Sequence, residues 1–207
     1  MDYKNLIKRS IISLIFIFIY ILISYFNFDY ILYAIILIYI LIFIEIYLFF
    51  VKFRTLILIY LLLSFTSLLN IEISAENFVK FNLMIVSIVS FDTFSYLIGS
   101  LIGKNKILSV ISPKKTLEGL IGGFIISIIV SLLYLNFYND NFSLIDIIFI
   151  VLIIISSFIG DILESIFKRL NNLKNSSNLL SGHGGFFDRF DSFVFSIIIY
   201  FIFEAII

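Results

Sequence analysis

Several residue types that often stabilise folds or carry chemistry are scarce or missing in this 207-residue sequence, which has no cysteine, one proline, one histidine and nine glycines. The absence of cysteine excludes disulfides, thiolate metal ligands and a cysteine nucleophile. Charged residues make up only 14% of the chain and the formal net charge is zero, so no overall basic field favours nucleic acid as a partner. Apolar residues, in contrast, are abundant. Hydrophobic residues make up 62% and the mean hydropathy is +1.18, which indicates a chain that folds in a lipid bilayer.

Apolar stretches near the ~20 residues that span a bilayer recur along the sequence. They predict an all-α polytopic membrane protein with seven transmembrane helices, at about 10–26, 30–50, 55–70, 78–101, 117–135, 143–167 and 190–207. Basic residues before the first stretch resemble the start of a signal peptide, but no small-residue cleavage site follows and a second apolar run begins almost at once. We therefore interpret 10–26 as the first membrane helix.

The distribution of basic residues predicts the orientation of these helices. With the N-terminus in the cytoplasm, every lysine and arginine except Lys80 falls on the cytoplasmic side, as the positive-inside rule favours, and the C-terminus lies outside. We expect one membrane-embedded domain over 1–207, with hydrophobic helices in 1–77 and with helices and cytoplasmic loops in 78–207 that are the expected place of any catalytic site. The expected location is a bacterial inner (cytoplasmic) membrane, with these loops facing the cytoplasm.

Polar residues and glycines concentrate in two cytoplasmic regions, 90–123 and 160–192, which contain the single proline and all nine glycines. A charged side chain within a membrane helix costs about 2.5–3.5 kcal/mol on insertion, so such groups are expected to pair, bind ions or face water. Function is therefore expected in these two regions. Glu45 stands alone in an apolar span, and the sequence indicates no partner for it.

The second region combines a polar helix face with a glycine-rich turn. Helical spacing places Asp161 and Glu164 on one face, and the turn at 181–185 leads into a helix on which Asp188 and Asp191 lie one turn apart. Glycine lets backbone amides approach a phosphate closely, and a helix N-terminus favours anions. Nearby carboxylates suit a hard cation such as Mg²⁺. The pattern indicates phosphate and metal chemistry.

The first region shows a similar combination. Asp92 lies on a polar helix face, and Lys114 and Lys115 stand beside a helix expected to start at Pro113. The two lysines are suited to neutralise a polyphosphate, with Thr116 and the first-turn amides as hydrogen-bond donors. Because both regions lie on the same predicted side of the membrane, one active site is expected to draw on both.

These motifs resemble those of the phosphatidate cytidylyltransferase family. Its C-terminal signature reads Ser-x-apolar-Lys-Arg, four residues, Lys-Asp, and then Pro-x-His-Gly-Gly-apolar-x-Asp-Arg-apolar-Asp. The corresponding residues stand in register without a gap: Ser165, Lys168, Arg169, Lys174, His183, Gly184, Gly185, Asp188, Arg189 and Asp191. Asn175 replaces the Asp of the signature and Ser181 replaces its Pro. Upstream, 92–96 and 112–119 are also similar to family motifs, so the resemblance covers about 90–192.

The resemblance implies a Mg²⁺-dependent nucleotidyltransferase that moves CMP from CTP to phosphatidic acid, giving CDP-diacylglycerol and pyrophosphate for phospholipid biosynthesis. Whether a monovalent cation such as K⁺ also takes part is open. The implied partners are CTP, phosphatidic acid, membrane lipids and a second copy in a homodimer, with no nucleic acid. Phosphate is already a nucleophile, so the implied mechanism needs positioning and charge neutralisation and no side-chain nucleophile.

The resemblance also implies roles for individual residues. The catalytic set is Asp161, Lys168, Arg169, His183, Asp188, Arg189 and Asp191. The substrate-binding set is Asp92, Ser112, Lys114, Lys115, Thr116, Lys174, Gly184 and Gly185. The expected metal ligands are Asp161, Asp188 and Asp191. His183 is expected to shape the loop or to donate to a phosphate, and a general-base role is not required.

Three alternatives stay open at the level of sequence. A cytidylyltransferase or CTP-dependent kinase acting on another lipid phosphate or lipid alcohol would keep the same nucleotide and metal motifs. A small transporter or channel would line a pathway with its carboxylates, but the acidic residues cluster at one face beside a phosphate-type turn. An inactive relative would be consistent with Asn175, whose amide oxygen can ligate a cation without adding negative charge.

Overall fold

The computed structural model describes residues 20, 28–71, 78–109, 111–138, 143–180 and 184–206. The first predicted span, at 10–26, lies outside these residues except for Tyr20. His183, which the sequence places in the active site, also lies outside them.

Six helices and one short hairpin make up the described part of the chain. The helices are α1 (Phe28–Phe49), α2 (Arg54–Leu69), α3 (Phe78–Ile102), α4 (Leu117–Tyr138), α5 (Leu144–Leu170) and α6 (Phe187–Ile206). The hairpin, between α3 and α4, consists of β1 (Lys106–Leu108) and β2 (Ser112–Thr116). Each predicted span from the second to the seventh coincides with one of these helices to within a few residues.

Four helices of the described chain are long and apolar enough to cross a membrane, namely α1 from Tyr30 onward, α3, α4 and α5. The apolar helix α2 is shorter, with 16 residues. Helix α6 carries four charged side chains, Asp188, Arg189, Asp191 and Glu204. The class of helical integral membrane protein is therefore confirmed, whereas the number of seven spans and the orientation of the termini stay predictions.

Small residues hold α3 and α4 close together. A Cβ atom on Gly123 would lie 2.8 Å from the Cα of Ser95, and one on Gly119 would lie 2.5 Å from the Ser95 carbonyl oxygen. The hydroxyl oxygens of Ser87 and Ser131 lie 2.8 Å apart across the same interface. Since lipid tails are as apolar as the helices, close backbone packing of this kind is a main source of helix association in a membrane.

A second close approach joins α5 to α6. A Cβ atom on Gly160 would lie 2.6 Å from the carbonyl oxygen of Asp191. Further along the interface, the Ser156 hydroxyl donates a 2.8 Å hydrogen bond to the Ser196 hydroxyl. Because Asp161 follows Gly160 directly, this contact brings acidic residues of two helices to one level of the bundle.

The start of α4 differs from the sequence prediction. A helix was expected to start at Pro113, but Pro113 lies on β2 of the antiparallel hairpin and α4 begins at Leu117. The Glu118 carboxylate fixes the segment just before β1, because it accepts hydrogen bonds from the backbone amide of Lys104 at 3.0 Å and from Asn105. The paired strands therefore replace the expected first helical turn, and β2 carries residues 114–116 against α3 and α4.

The contact at Gly160 leads to a stability prediction. Gly160→Ala should lower the melting midpoint of the detergent-solubilised protein by several degrees, because overpacking costs about 1–3 kcal/mol and its Cβ would meet the backbone of α6. The control is Gly122→Ala, whose Cβ would meet only side-chain atoms of Ile98. It should lower the midpoint less than Gly160→Ala does, because the Ile98 side chain can shift more easily than the backbone of α6 and alanine favours helix by about 1 kcal/mol. Equal melting of the two variants would contradict the tight α5–α6 contact.

Candidate active site

Three carboxylates of α5 and α6 meet at the level of Gly160. Asp161 and Glu164 lie one turn apart on α5 and Asp191 lies on α6, and one oxygen of each falls within 4.8 Å of the others. We refer to these three residues as the acidic cluster. Like charges this close repel one another, so nearby cations would stabilise the arrangement. Oxygen ligands at this spacing suit a hard divalent cation.

Two lysines supply positive charge to this region. Lys115 of β2 reaches Asp161, with 2.6 Å between Nζ and Oδ2. Lys168 of α5 lies 2.6 Å from a Glu164 oxygen and 2.6 Å from an Asp188 oxygen. The hairpin and α5 thus each place one ammonium group beside the carboxylates.

Glu164 is the member of the acidic cluster that was not among the predicted site residues. It is 1% exposed, and its Oε1 accepts no hydrogen bond from the residues that the structure describes. An unsatisfied buried carboxylate oxygen is costly, and a bound cation would satisfy it. The signal was present in the sequence, because the helical spacing already placed Glu164 on the same face as Asp161.

Asp188 has a different environment from the acidic cluster. Its Oδ1 accepts a 2.6 Å bond from Lys168. Its Oδ2 accepts bonds from the backbone amide and hydroxyl of Ser176, both at 2.8 Å, and from the Gly185 amide at 2.9 Å. A Cβ on Gly184, which has a φ of +81°, would overlap this carboxylate. Asp188 therefore ties the loop after α5 to Lys168, and its predicted role as a metal ligand stays a prediction.

A cavity of about 230 Å³ opens beside the acidic cluster under the hairpin, and we call it the hairpin cavity. Its polar lining residues include Asp92, Lys114, Lys115, Thr116 and Asp161. The Lys115 ammonium also lies over the ring of Phe158, 4.7 Å from its centroid. The two lysines and Thr116, all predicted to bind substrate, therefore face one space together with a carboxylate of the cluster.

A larger cavity of about 560 Å³ is lined mainly by α1, α3 and α6, and we call it the apolar cavity. Its wall is mostly aliphatic and aromatic, and it includes Ile31, Ile35, Ile85, Val89, Val130 and Phe193. Asp92 and Arg189 supply its charged lining residues. Asp92 thus borders both cavities, and its Oδ1 lies 3.4 Å from the Ser157 hydroxyl and 3.5 Å from the Ser192 hydroxyl.

Other predicted site residues lie further from the acidic cluster. The Arg169 guanidinium donates to the carbonyl oxygens of Ile111 at 3.1 Å and Leu173 at 3.0 Å, so in this structure it braces the hairpin against the loop after α5. Lys174 is exposed in that loop, and Ser112 begins β2. The structure therefore brings Asp92, Asp161 and Asp191 together with Lys115 and Lys168, and it places Arg169 and Lys174 at the periphery.

The fold and the site together define a helical integral membrane protein with a carboxylate and lysine site between its helices. The sequence model of the cytidylyltransferase family matches residues 5–207, so the chain belongs to this family, which confirms the resemblance seen in the motifs. Similar proteins include the phosphatidate cytidylyltransferases of Staphylococcus saprophyticus, Staphylococcus haemolyticus and Staphylococcus epidermidis, at 49%, 50% and 46% identity over 106 residues. The match covers 50% of this chain and only 40% of each relative.

The hydrogen bonds of Asp188 lead to a second prediction. Asp188→Ala should lower the melting midpoint in EDTA by about 5–10 °C, since hydrogen bonds to a charged group contribute about 1.5–3 kcal/mol each and Lys168 would lose a partner. Asn178→Ala, an exposed change in the same loop, is the control and should melt like the wild type. An unchanged midpoint for Asp188→Ala would show that these bonds do not stabilise the fold.

Proposed function

We propose that the protein transfers CMP from CTP to phosphatidic acid, giving CDP-diacylglycerol and pyrophosphate. The observation that carries the proposal is that two neighbouring cavities share Asp92. One contains two lysines and Asp161, and the other has an almost entirely hydrocarbon wall. A reaction that joins a polyphosphate to a lipid phosphate would use both kinds of cavity. Membership in the cytidylyltransferase family supports the same chemistry.

The hairpin cavity is the proposed site for the triphosphate of CTP. Lys114 and Lys115 are suited to neutralise phosphate charge, and the Thr116 hydroxyl can donate a hydrogen bond. Lys115 already contacts Asp161, so a phosphate that binds it would lie next to the acidic cluster. The nucleotide would thereby place its phosphates where a cation and the lysines act together.

The apolar cavity is the proposed site for the acyl chains of phosphatidic acid. Its hydrocarbon wall matches lipid tails, and Arg189 at its border is suited to pair with a lipid phosphate by bidentate hydrogen bonds. Because Asp92 is shared with the hairpin cavity, a lipid phosphate held near Arg189 would lie close to the proposed nucleotide site. Transfer between the two phosphates requires them to meet in this way.

The acidic cluster fits the Mg²⁺ that the family resemblance implies, because it offers three carboxylates within reach of one ion, one of them with an unsatisfied buried oxygen. When bound, Mg²⁺ would neutralise the phosphates of CTP and the charge that develops on the pyrophosphate leaving group. We propose Asp161, Glu164 and Asp191 as its holders.

In the proposed reaction, a phosphate oxygen of phosphatidic acid forms a bond to the α-phosphorus of CTP, and the bond between that phosphorus and the β-phosphate bridging oxygen breaks. The electron pair leaves with pyrophosphate. Lys115 and Lys168 would stabilise the negative charge of the phosphates, and Asp188 would hold Lys168 in place. No protein side chain needs to act as a nucleophile.

The proposal also includes the setting of the enzyme. We propose seven membrane spans with a cytoplasmic N-terminus in a bacterial inner membrane, because the lysine-rich hairpin and the loop after α5 would then both face the cytoplasm, where CTP is found. A homodimer is proposed on the family resemblance alone. Labelling of single cysteines introduced at Lys106 and Asn178, from one side of intact cells, would test the orientation.

The experiment that tests the function is formation of labelled lipid from labelled CTP and phosphatidic acid by the purified protein in detergent, with Mg²⁺ or with EDTA. We expect Mg²⁺-dependent CDP-diacylglycerol that is lost in Asp161→Asn. Product from a polyprenyl or ether-lipid phosphate, and none from phosphatidic acid, would instead support a cytidylyltransferase with another lipid substrate. The absence of product with every lipid would contradict the proposal.

A comparison of Lys115 with Lys106, which lie on the two strands of the hairpin, tests the proposed nucleotide site. Lys115→Met should raise the KM for CTP by about tenfold or more, because a charge-assisted hydrogen bond contributes about 1.5–3 kcal/mol. Lys106→Met is the matched control, since Lys106 is an exposed lysine on the opposite strand and does not line the hairpin cavity. An equal change in KM for the two variants would contradict the placement of the triphosphate.

A further inference from the structure

Glu45 of α1 is a buried carboxylate outside the acidic cluster. It is fully buried, at 0% exposure, although it is the one charged residue of α1 from Tyr30 to Phe49. Its Oε2 accepts hydrogen bonds from the backbone amides of Phe186 at 2.7 Å and Phe187 at 3.3 Å. These amides lie at the start of α6, where backbone N–H groups have no partner within the helix and the helix dipole favours negative charge.

The same carboxylate limits the shape of the turn before α6. A Cβ atom on Gly185 would overlap Glu45 Oε1 and would crowd the hydroxyl of Ser176. Ser176 and the Gly185 amide are also the groups that bind Asp188 Oδ2. Two carboxylates therefore bind this turn. Glu45 contacts it from α1, and Asp188 contacts it from α6.

We propose that Glu45 is a positioning residue for the transfer reaction, acting through the start of α6. By fixing the Phe186 and Phe187 amides, it sets the rotation and height of the helix turn that carries Asp188, Arg189 and Asp191. It touches no substrate itself. The inference rests on the proposed function for its kinetic test, and it adds that the hydrophobic N-terminal part of the chain takes part in building the site.

The kinetic test compares Glu45→Ala and Glu45→Gln with Ile42→Ala, a change at a fully buried apolar residue one turn earlier on α1. Glu45→Ala should lower kcat at least tenfold while changing the KM for CTP less than threefold, because the hairpin cavity is built by other elements. Glu45→Gln should recover much of kcat, since its amide oxygen can still accept the Phe186 bond. Ile42→Ala should lower the melting midpoint but leave kcat per folded molecule unchanged.

Amide hydrogen exchange provides a measurement that does not depend on activity. The segment 184–190 should exchange at least tenfold faster in Glu45→Ala than in wild type, and it should be unchanged in Ile42→Ala. If the wild type makes no CDP-diacylglycerol while this exchange result holds, the proposed function fails and the structural part of the inference stands. Unchanged exchange in Glu45→Ala, or an equal fall of kcat in Glu45→Ala and Ile42→Ala, would overturn the positioning role.

A double-variant measurement tests the same contact from the other side. Gly185→Ala should lower kcat because its Cβ would overlap the Glu45 carboxylate. In the Glu45→Ala background, Gly185→Ala should reduce kcat by a factor at least threefold smaller than in the wild type, because the Glu45 carboxylate that its Cβ would overlap is absent. Such non-additive effects are expected for residues in contact. Strictly additive effects of the two changes would overturn the inferred contact.

Discussion

The close approach of α5 and α6 at Gly160 is the constraint on which the rest of the structure depends. It brings Asp161, Glu164 and Asp191 within 4.8 Å of one another inside a bundle of apolar helices. Carboxylates in such a place are unfavourable unless cations balance them. The neighbouring elements meet this need, because the hairpin directs Lys115 to Asp161 and α5 directs Lys168 to Glu164. A site that concentrates negative charge in this way would suit a metal ion, as the proposed reaction requires.

The elements around the acidic cluster and its lysines form two cavities. On one side the hairpin and α3 form a cavity with lysines, and on the other side α1, α3 and α6 form a cavity with a hydrocarbon wall. The N-terminal part also braces the site, since Glu45 holds the start of α6 and the Asn171 side chain binds the backbone of Lys52 between α1 and α2. The apolar helices therefore position the residues of the site in addition to placing the protein in the membrane.

Much of this arrangement could be predicted from the sequence, because it depends on local patterns. Apolar length predicted six of the described helices, and helical spacing placed Asp161 and Glu164 on one face. Contacts between distant segments could not be predicted in this way. Glu45 finds its partners 141 and 142 residues later in the chain, and no local pattern indicates that distance. The hairpin was missed because Pro113 is equally compatible with a helix start and with an exposed strand.

The most direct test of the central claim is equilibrium binding of Mn²⁺, as a substitute for Mg²⁺, to the purified protein in detergent, followed by electron paramagnetic resonance. Glu164→Gln and Asp191→Asn should each weaken Mn²⁺ binding at least tenfold. Glu204→Gln, which alters a carboxylate of α6 that pairs with Lys80 away from the cluster, should bind Mn²⁺ like the wild type. Equal affinity in all four proteins would contradict the claim that the acidic cluster of α5 and α6 is a cation site.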